Sequence, residues 1–360
     1  MEYSQTTCLS DEAYLRQLDK KIEQERVPLS GTVDLTHQCN LRCVHCYLGD
    51  RTARKADSNR ELSTDEWFRI IDEFTESGCL FLLLSGGEPL LRKDFKEIYR
   101  RLKTNGLLVT VFTNGTTMTD DILDLFIDLP PHSVEISLYG ATEETYKRIT
   151  GSRSAFQRCI NGIEALVTNG IHLSLKTILM TLNSQEFYDI KKIAKEYNTS
   201  FRFDAAIFPC FDGNKSPLDL RVTPQEAIDK EFSDQEVSQQ WKDYYEKRKD
   251  LVFADYLYLC GTGETSFYID PYGHLQPCVL VTEPSYSILN GTFLDGWRNV
   301  IPGVRKKKAG KDYRCNECKN MVLCGVCPGF FRLENGSEEI CSEYLCHMGQ
   351  ERLNALKVLA

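Results

Sequence analysis

Fifteen of the 360 residues are cysteines, and this number constrains the fold more than any other feature of the sequence. A chain of this length buries an extensive apolar core, so it does not need a framework of disulfide bonds. The N-terminus lacks an export signal and no run of about 18 apolar residues occurs, which predicts a cytoplasmic protein with reduced thiols. Metal binding is therefore the simplest explanation for the cysteines.

The charge pattern excludes some classes of partner. The net charge is -9, and no stretch collects the lysines and arginines that neutralise phosphates, so we expect no nucleic-acid partner. The short basic run from Arg305 to Lys308 is expected to be a solvated helix end, or at most a docking patch for an acidic partner. No segment is apolar enough to predict membrane insertion.

Short β-rich runs alternate with amphipathic helical stretches between Gly31 and Phe208, which is typical of βα units and a parallel sheet. We predict an α/β fold with a partial (β/α)6 TIM-like barrel, followed by a small cysteine-rich domain. The site should lie where the strands end. The predicted strands are Thr32–Leu35, Leu80–Leu84, Leu107–Phe112, Ser133–Leu138, Leu173–Leu179 and Phe201–Ile207.

Helix starts and composition changes divide the chain. Ser63 and Glu66 predict a capping box, and Thr119 precedes a second helix. A single long helix is predicted to open at Thr223 and to run through Tyr244. The predicted boundaries are an N-terminal extension at 1–29, the barrel at 30–210, a linker with the bridging helix at 211–255, and the cysteine-rich domain at 256–360.

Three cysteines follow the first strand in the string LTHQCNLRCVHCY, namely Cys39, Cys43 and Cys46. Three thiolates leave one iron of a [4Fe-4S] cube open, and an open position lets a metal centre activate a ligand. A structural zinc site is the alternative. It would need a fourth ligand, for which His37 and His45 are the local candidates, although we expect both to be supporting groups.

The order of three motifs resembles the radical S-adenosylmethionine superfamily: CxxxCxxCY after the first strand, GGEP after the second and TNG after the third. The resemblance covers about residues 30 to 210. It implies that Cys39, Cys43 and Cys46 are the catalytic cysteines and hold a [4Fe-4S] cluster. It also implies that S-adenosylmethionine is cleaved to a 5′-deoxyadenosyl radical, which abstracts hydrogen from a substrate.

Strand-end residues are the candidates for binding this cofactor. Gly86 and Gly87 permit a close backbone approach to a ligand, and Glu88 offers an acceptor for an ammonium group. The resemblance implies that Ser137 touches the ribose or carboxylate. Lys176 is a candidate together with Glu135, although a satisfied core pair is an equal alternative. The predicted cofactor-binding residues are Tyr47, Gly86, Gly87, Glu88, Thr113, Asn114, Ser137 and Lys176.

The C-terminal cysteines resemble the SPASM extension of some radical enzymes, which implies one or two auxiliary [4Fe-4S] clusters. By resemblance, Cys260 and Cys278 serve one cluster, completed by Cys327, with Cys341 as a possible fourth ligand. Without Cys341, that cluster keeps an open iron for a substrate thiolate. The ligands implied for the other cluster are Cys315, Cys318, Cys324 and Cys346. A zinc ribbon is the alternative, since CxxC pairs also suit zinc.

The sequence departs from the resemblance at two positions. Cys324 and Cys327 are separated by two residues where the usual extension has three. Val279 follows Cys278 where anaerobic sulfatase maturases have an aspartate base, which disfavours that activity. The cysteines without partner spacing are expected to be small buried residues; they are Cys8, Cys79, Cys159 and Cys210.

The resemblance favours a peptide maturase that makes a cross-link or thioether in a ribosomally made precursor peptide. Tailoring of a tetrapyrrole or another small cofactor precursor is the alternative. A non-catalytic iron-sulfur electron carrier or redox sensor is a third hypothesis, disfavoured by the GGEP and TNG motifs. The expected partners are a flavodoxin or ferredoxin electron donor and a separate leader-binding protein, because about thirty residues precede the first strand and an independent fold usually needs about fifty.

Overall fold

The computed structural model describes residues 10–251 and 255–359, so the prediction for Cys8 lies outside the described residues. The fold is α/β, as predicted. The strands are β1 Ser30–Asp34, β2 Phe81–Ser85, β3 Leu108–Thr113, β4 Ser133–Ser137, β5 Leu173–Ile178, β6 Ser200–Asp204, β7 Ser266–Ile269, β8 His274–Gln276 and β9 Tyr286–Ser287.

Fourteen α-helices accompany these strands in the described part of the chain. They are α1 Asp11–Glu25, α2 Arg51–Ala56, α3 Thr64–Glu76, α4 Phe95–Thr104, α5 Asp120–Asp128, α6 Glu143–Thr150, α7 Ala155–Thr168, α8 Phe187–Glu196, α9 Pro224–Phe232, α10 Gln235–Arg248, α11 Phe293–Asn299, α12 Met321–Cys324, α13 Pro328–Asn335 and α14 Glu343–Val358. None of these helices is both long enough and apolar enough to cross a bilayer.

One sheet organises the fold, with the strand order β6-β5-β4-β3-β2-β1-β7-β8-β9. The first seven strands in this order are parallel, and β8 and β9 continue the sheet antiparallel. The six predicted strands are confirmed with small shifts at their ends, and they form an open, partial barrel. Because β1 to β6 run in the same direction, their carboxyl ends meet on one side of the sheet.

A strand from the cysteine-rich part joins this sheet. β7 pairs with β1 in parallel, with Ser30 opposite Ser266. A side chain on Gly31 would collide with the ring of Phe267, so glycine lets this ring pack against β1. The sheet therefore continues across the predicted boundary at residue 256, and the domain boundaries themselves stay predictions.

The helix signals are confirmed in part. The capping box of Ser63 and Glu66 is present, and α3 buries Trp67, Ile70, Ile71 and Phe74. The single helix predicted from Thr223 through Tyr244 is wrong, because the structure has two helices there, α9 and α10. The carboxylate of Asp234 accepts from the backbone N–H groups of Glu236 and Val237, which starts a new helix and interrupts the first one.

The C-terminal part of the chain has an apolar cluster of its own. Leu257, Tyr258, Tyr313, Phe330 and Phe331 are buried in this cluster, and Cys278, Cys327 and Cys341 pack against it. Short helices and loops supply most of these residues, and α14 packs along α9 and α12. Cysteines that are distant in the sequence are thus brought into one compact region.

Candidate active site and cysteine groups

The first cysteine loop, residues 36 to 47, lies at the carboxyl end of β1. The backbone N–H groups of Arg42 and Val44 donate to the carbonyls of Thr150 and Ile149 at 2.9 Å, which anchors the loop to α6. Burial raises the pKa of Cys39 to about 11, and the neighbouring charges of Glu88 and Cys46 add to the shift. Burial also holds the pKa of Cys43 well above its usual range. Metal coordination would supply the free energy that deprotonates these thiols.

Orphaned polar atoms surround the loop. Among the described residues, His37 Nε2, His45 Nδ1 and Arg54 Nε are buried without a hydrogen-bond partner. Burial lowers the pKa of His45 to about 4, so its ring is neutral near pH 7. Buried donors without partners are rare in folded proteins. The three thiols and these orphaned groups therefore fit a bound iron-sulfur cluster together with a polar ligand.

The GGE motif at the end of β2 packs directly on the first cysteine loop. Gly87 N–H donates to the Thr36 carbonyl at 2.8 Å, and Glu88 N–H donates to the Gln38 carbonyl at 2.9 Å. A side chain on Gly86 or Gly87 would collide with these same two carbonyl oxygens. The close approach seen here is thus to the cysteine loop, while the predicted approach to a ligand stays a prediction.

Glu88 is fully buried and joins the GGE motif to the TNG motif. Its carboxylate accepts from Thr113 Oγ1 and from the Asn114 backbone N–H, both at 2.7 Å. Burial raises the pKa of Glu88 to about 7, and these hydrogen bonds oppose the shift. Asn114 Nδ2 in turn donates to Asn40 Oδ1 at 2.9 Å, within the cysteine loop. Three strand ends are therefore locked together through one carboxylate.

A cavity of about 1310 Å³ opens beside the cysteine loop and along the strand ends. Cys39, Cys43 and Cys46 line it. All predicted cofactor-binding residues except Glu88 also line it: Tyr47, Gly86, Gly87, Thr113, Asn114, Ser137 and Lys176. The structure therefore brings these predicted residues to one place, and it keeps the Glu88 side chain behind the cavity wall.

Charged residues of β5 and β6 form the far wall. Arg202 donates to Glu135 Oε2 at 2.6 Å, and Lys176 Nζ is 4.0 Å from the same oxygen. Lys176 also lies over the ring of Phe112, and burial lowers its pKa well below the usual range. Sequence reasoning missed Arg202 and Asp204, which both line the cavity. The alternation in Phe-Arg-Phe-Asp on β6 was the available signal.

The cysteines expected to be small buried residues are buried where the structure describes them, with Cys79 at 6%, Cys159 at 0% and Cys210 at 5% exposure. Cys210 differs from the other two by its position. Its thiol donates to the Cys46 carbonyl at 3.3 Å, and it lines the cavity. Cys210 therefore supports the backbone of the first cysteine loop.

The first C-terminal cysteine group consists of Cys260, Cys278 and Cys327. Burial raises the pKa of Cys327 to about 11, and the nearby thiols of Cys278 and Cys260 add to this shift. Val279 lines the large cavity and also a smaller one of about 420 Å³, which Cys260 and Cys278 line as well. This group is therefore close to one wall of the large cavity.

The second C-terminal cysteine group consists of Cys315, Cys318, Cys324, Cys341 and Cys346. Burial raises the pKa of Cys315 to about 12, and the nearby thiols of Cys341, Cys324 and Cys318 also raise it. Cys341, predicted as a possible fourth ligand beside Cys260 and Cys278, is thus a neighbour of Cys315, and its role as a ligand stays a prediction. Cys341 directly precedes Ser342, the N-cap of α14, so its position is tied to the turn that carries Cys346.

Tyr313 is buried in the apolar cluster against which cysteines of both C-terminal groups pack. Its hydroxyl is buried and has no hydrogen-bond partner among the described residues. Burial raises its pKa, and the thiols of Cys315, Cys324 and Cys327 contribute to the shift. An orphaned donor beside both groups fits a bound iron-sulfur cluster, whose sulfur atoms accept hydrogen bonds. Within residues 10–251 and 255–359, no three His, Cys, Asp or Glu side chains are placed to hold a single metal ion.

Three cysteines follow the first strand of an open parallel sheet and line a cavity at the strand ends, which is the geometry expected of an α/β enzyme with a metal centre at that edge. Residues 33–196 match the model of the Radical SAM superfamily. This part of the chain is a radical SAM domain, which confirms the predicted superfamily.

Two curated relatives illustrate the range of similarity. The chain is 37% identical over 163 residues to an AdoMet-dependent heme synthase of Methanosarcina barkeri, covering 45% of this chain and 46% of that protein. It is 26% identical over 281 residues to the sporulation killing factor maturation protein SkfB of Bacillus subtilis, covering 75% of this chain and 64% of that one. The chain thus spans less than two thirds of either relative.

The structure of Streptococcus suis SuiB bound to the precursor peptide SuiA is similar in fold. The TM-score is 0.71 at 16% sequence identity, and the match covers 96% of this chain and 84% of SuiB. At this identity the similarity shows the fold alone. It extends over the barrel and the cysteine-rich part together, which confirms the predicted fold class.

Proposed function

We propose that Cys39, Cys43 and Cys46 hold a [4Fe-4S] cluster and that the chain reductively cleaves S-adenosylmethionine. When bound, these groups would supply a 5′-deoxyadenosyl radical that abstracts hydrogen from a substrate. Three half-buried cysteines line a cavity whose walls carry the GGE and TNG motifs, and this placement is the observation that supports the proposal. An electron carrier has no use for such a cavity.

The residues around the cavity have distinct tasks in this proposal. The three thiolates bind the cluster and leave one iron open. The interlocked loops of Glu88, Thr113 and Asn114 hold the cluster loop in position. Ser137 and Lys176 lie on neighbouring strands and line the cavity, and in this proposal they would bind the carboxylate or ribose of the cofactor.

Aromatic side chains complete the cavity beside the cluster loop. Tyr47 lies 5.6 Å from Phe208 and 5.1 Å from Phe211 between ring centroids. Tyr47 and Phe208 line the cavity, so apolar surface covers this side of the site. This cover would exclude water from a reactive intermediate.

We propose that the substrate is a ribosomally made precursor peptide that receives a cross-link or thioether. The cavity of about 1310 Å³ exceeds the range of about 300–1,000 Å³ typical of small-ligand sites, which leaves room for a substrate beside the cofactor. The similarity to a maturation protein spans 75% of this chain. The similarity to a heme synthase has higher identity but covers 45% of the chain.

The second candidate is a tetrapyrrole substrate, and the 37% identity to the heme synthase favours it. The charged far wall, with Lys176 and Arg202, is able to bind carboxylates of either substrate class. The similarity to the maturation protein spans a larger share of this chain, 75% against 45%, and for this reason we prefer the peptide.

We further propose a cytoplasmic flavodoxin or ferredoxin as the electron donor and a separate leader-binding protein. Reductive cleavage of the cofactor consumes one electron, which such a donor would supply.

The experiment that tests the function is anaerobic reconstitution followed by a dithionite-driven assay for 5′-deoxyadenosine. We expect 5′-deoxyadenosine from the wild type, and its absence despite a full N-terminal cluster would support an electron carrier instead. Candidate precursor peptides and porphyrins are then added in parallel. A peptide that loses hydrogen by mass spectrometry supports the maturase, whereas a changed porphyrin spectrum supports the second candidate.

A further inference from the structure

The second C-terminal cysteine group contains one thiol more than a [4Fe-4S] cube can bind, since such a cube takes four protein ligands and the group has five. Cys315, Cys318 and Cys324 come from the segment that ends in α12. The two remaining thiols, Cys341 and Cys346, belong to the start of α14. The additional thiol therefore lies at the start of α14.

The helix start places Cys341 and Cys346 side by side. Ser342 is the N-cap, and its hydroxyl accepts from Leu345 N–H at 3.3 Å. Cys341 directly precedes this cap, and Cys346 is the fourth residue of α14. Residues at these two positions pack against each other across the first turn of a helix. The two side chains therefore share one side of the helix start.

That side of α14 faces Cys324. Gly349 is three residues after Cys346 and lies on the same helix face. A side chain on Gly349 would come within 2.7 Å of the Cys324 Cβ atom, so the helix backbone packs directly on this cysteine. Arg352, one turn further, donates to the Leu323 carbonyl at 2.6 Å. Cys346 is consequently directed toward the rest of the group.

The backbone of Cys341 is fixed by hydrogen bonds from Asn335, at the end of α13. Asn335 Nδ2 donates to the Ile340 carbonyl at 3.0 Å and to the Cys341 carbonyl at 3.1 Å, which fixes the backbone ahead of the helix. Cys341 packs against the apolar cluster that contains Cys315. Among the neighbouring thiols, Cys341 has the largest effect on the raised pKa of Cys315, after burial.

We propose that Cys341 and Cys346 are alternative fourth ligands of the second auxiliary cluster, with either thiolate able to bind the same iron. This inference rests on the proposed function, which places a cluster at this group. It also leaves Cys260, Cys278 and Cys327 as the complete cysteine set of the other cluster. Loss of one of the paired thiols would then leave the second cluster intact.

The test is iron and sulfide counting on the anaerobically reconstituted full chain in four variants. They are Cys341→Ser, Cys346→Ser, the double variant, and the control Cys159→Ser, which changes a buried cysteine outside all groups. Both single variants should hold as much iron and sulfide as the wild type. The double variant keeps three thiolates and no ligand for the fourth iron, so it should lose at least one iron of this cluster.

Alkylation of the reconstituted protein followed by peptide mass spectrometry gives a second readout that does not depend on activity. In Cys346→Ser, Cys341 should be protected from alkylation, because iron binds it. A Cys346→Ser variant that loses as much iron as the double variant would overturn the alternative-ligand proposal alone. A wild-type chain without iron in its C-terminal part would overturn the proposed auxiliary clusters as well.

Discussion

The first cysteine loop and the C-terminal cysteine groups are constructed in different ways. The loop contributes its three thiols within eight residues, and backbone hydrogen bonds from α6 and β2 fix it. The C-terminal groups draw on cysteines from Cys260 to Cys346, carried by loops and short helices. Under the proposed function, the barrel would fix the position of its cluster, whereas the auxiliary clusters would stabilise the C-terminal part. This difference predicts how each region responds to a change.

The largest expected effect is that of metal removal. A metal site forms only in the folded chain, so the free energy of metal binding stabilises the fold. For structural metal sites this contribution is on the order of 10 kcal/mol. Without metal, residues 256–359 should lose protection from hydrogen exchange while the strands β2 to β5 keep theirs. Hydrogen exchange by mass spectrometry on the apo and reconstituted protein measures this. Equal protection of both regions would remove the proposed difference.

A smaller effect, confined to the first loop, is expected for Gly87→Ala. The new side chain would collide with the Gln38 carbonyl and displace the loop, which should cost about 1–3 kcal/mol of stability. We expect iron loss at the first site with the C-terminal iron retained, measured by iron counting and electron paramagnetic resonance. Gly303→Ala is the matched control, because the nearest atom to its new side chain is at 3.6 Å. Full iron content in Gly87→Ala would show that the loop tolerates displacement.

Glu88→Gln should lower the free energy of unfolding by about 1–2 kcal/mol. The amide nitrogen of the new side chain cannot accept a hydrogen bond from Asn114 N–H as the carboxylate oxygen does. Affinity for S-adenosylmethionine should fall with all clusters present. Glu186→Gln is the control: this carboxylate also accepts a backbone N–H, that of Ala141 at 2.7 Å, but Ala141 does not line the cavity, whereas Asn114, the partner of Glu88, does. If both variants bind the cofactor like the wild type, Glu88 stabilises the strand ends and has no part in cofactor binding.

The smallest effect concerns the hairpin of β7 and β8, which pairs with β1 and so connects the cysteine-rich part to the barrel sheet. Asp270 accepts from His274 Nδ1 at 2.7 Å and raises the pKa of His274 above its usual 6.5. A raised histidine pKa stabilises the fold below pH 6.5, and this contribution is lost as pH rises through the folded-state value. Because His274 is 43% exposed, we expect less than about 1 kcal/mol.

Chemical denaturation of the wild type and Asp270→Asn between pH 6 and pH 8.5 measures this contribution. The two proteins should differ most at the acidic end of the range. A difference that does not vary with pH would mean that the charge on His274 has no part in the stability of the hairpin.

The sequence predicted those parts of the molecule that depend on local patterns. The six strands follow from short β-rich runs, and Cys39, Cys43 and Cys46 follow from their spacing after the first of them. The pairing of β7 with β1 was not predictable in this way, because it joins residues more than 230 positions apart. The break between α9 and α10 required recognising Asp234 as a cap within a continuous polar stretch.

Side-chain environments were the other limit. GGEP predicted a ligand-binding carboxylate, and the structure shows that Glu88 is tied to Thr113 and Asn114 instead of lining the cavity. The resemblance gave Cys341 only as a possible fourth ligand beside Cys260. Its neighbours depend on how α14 packs on α12, and the sequence spacing contains no information about that contact.

The most direct test of the central claim is an iron and sulfide count on the reconstituted wild type and on the variant with Cys39, Cys43 and Cys46 all changed to Ala. We predict about twelve irons in the wild type and about eight in the variant, with no 5′-deoxyadenosine formed by the variant. Loss of all iron in the variant would contradict two separately held metal regions, and zinc in place of iron would contradict the proposed function itself.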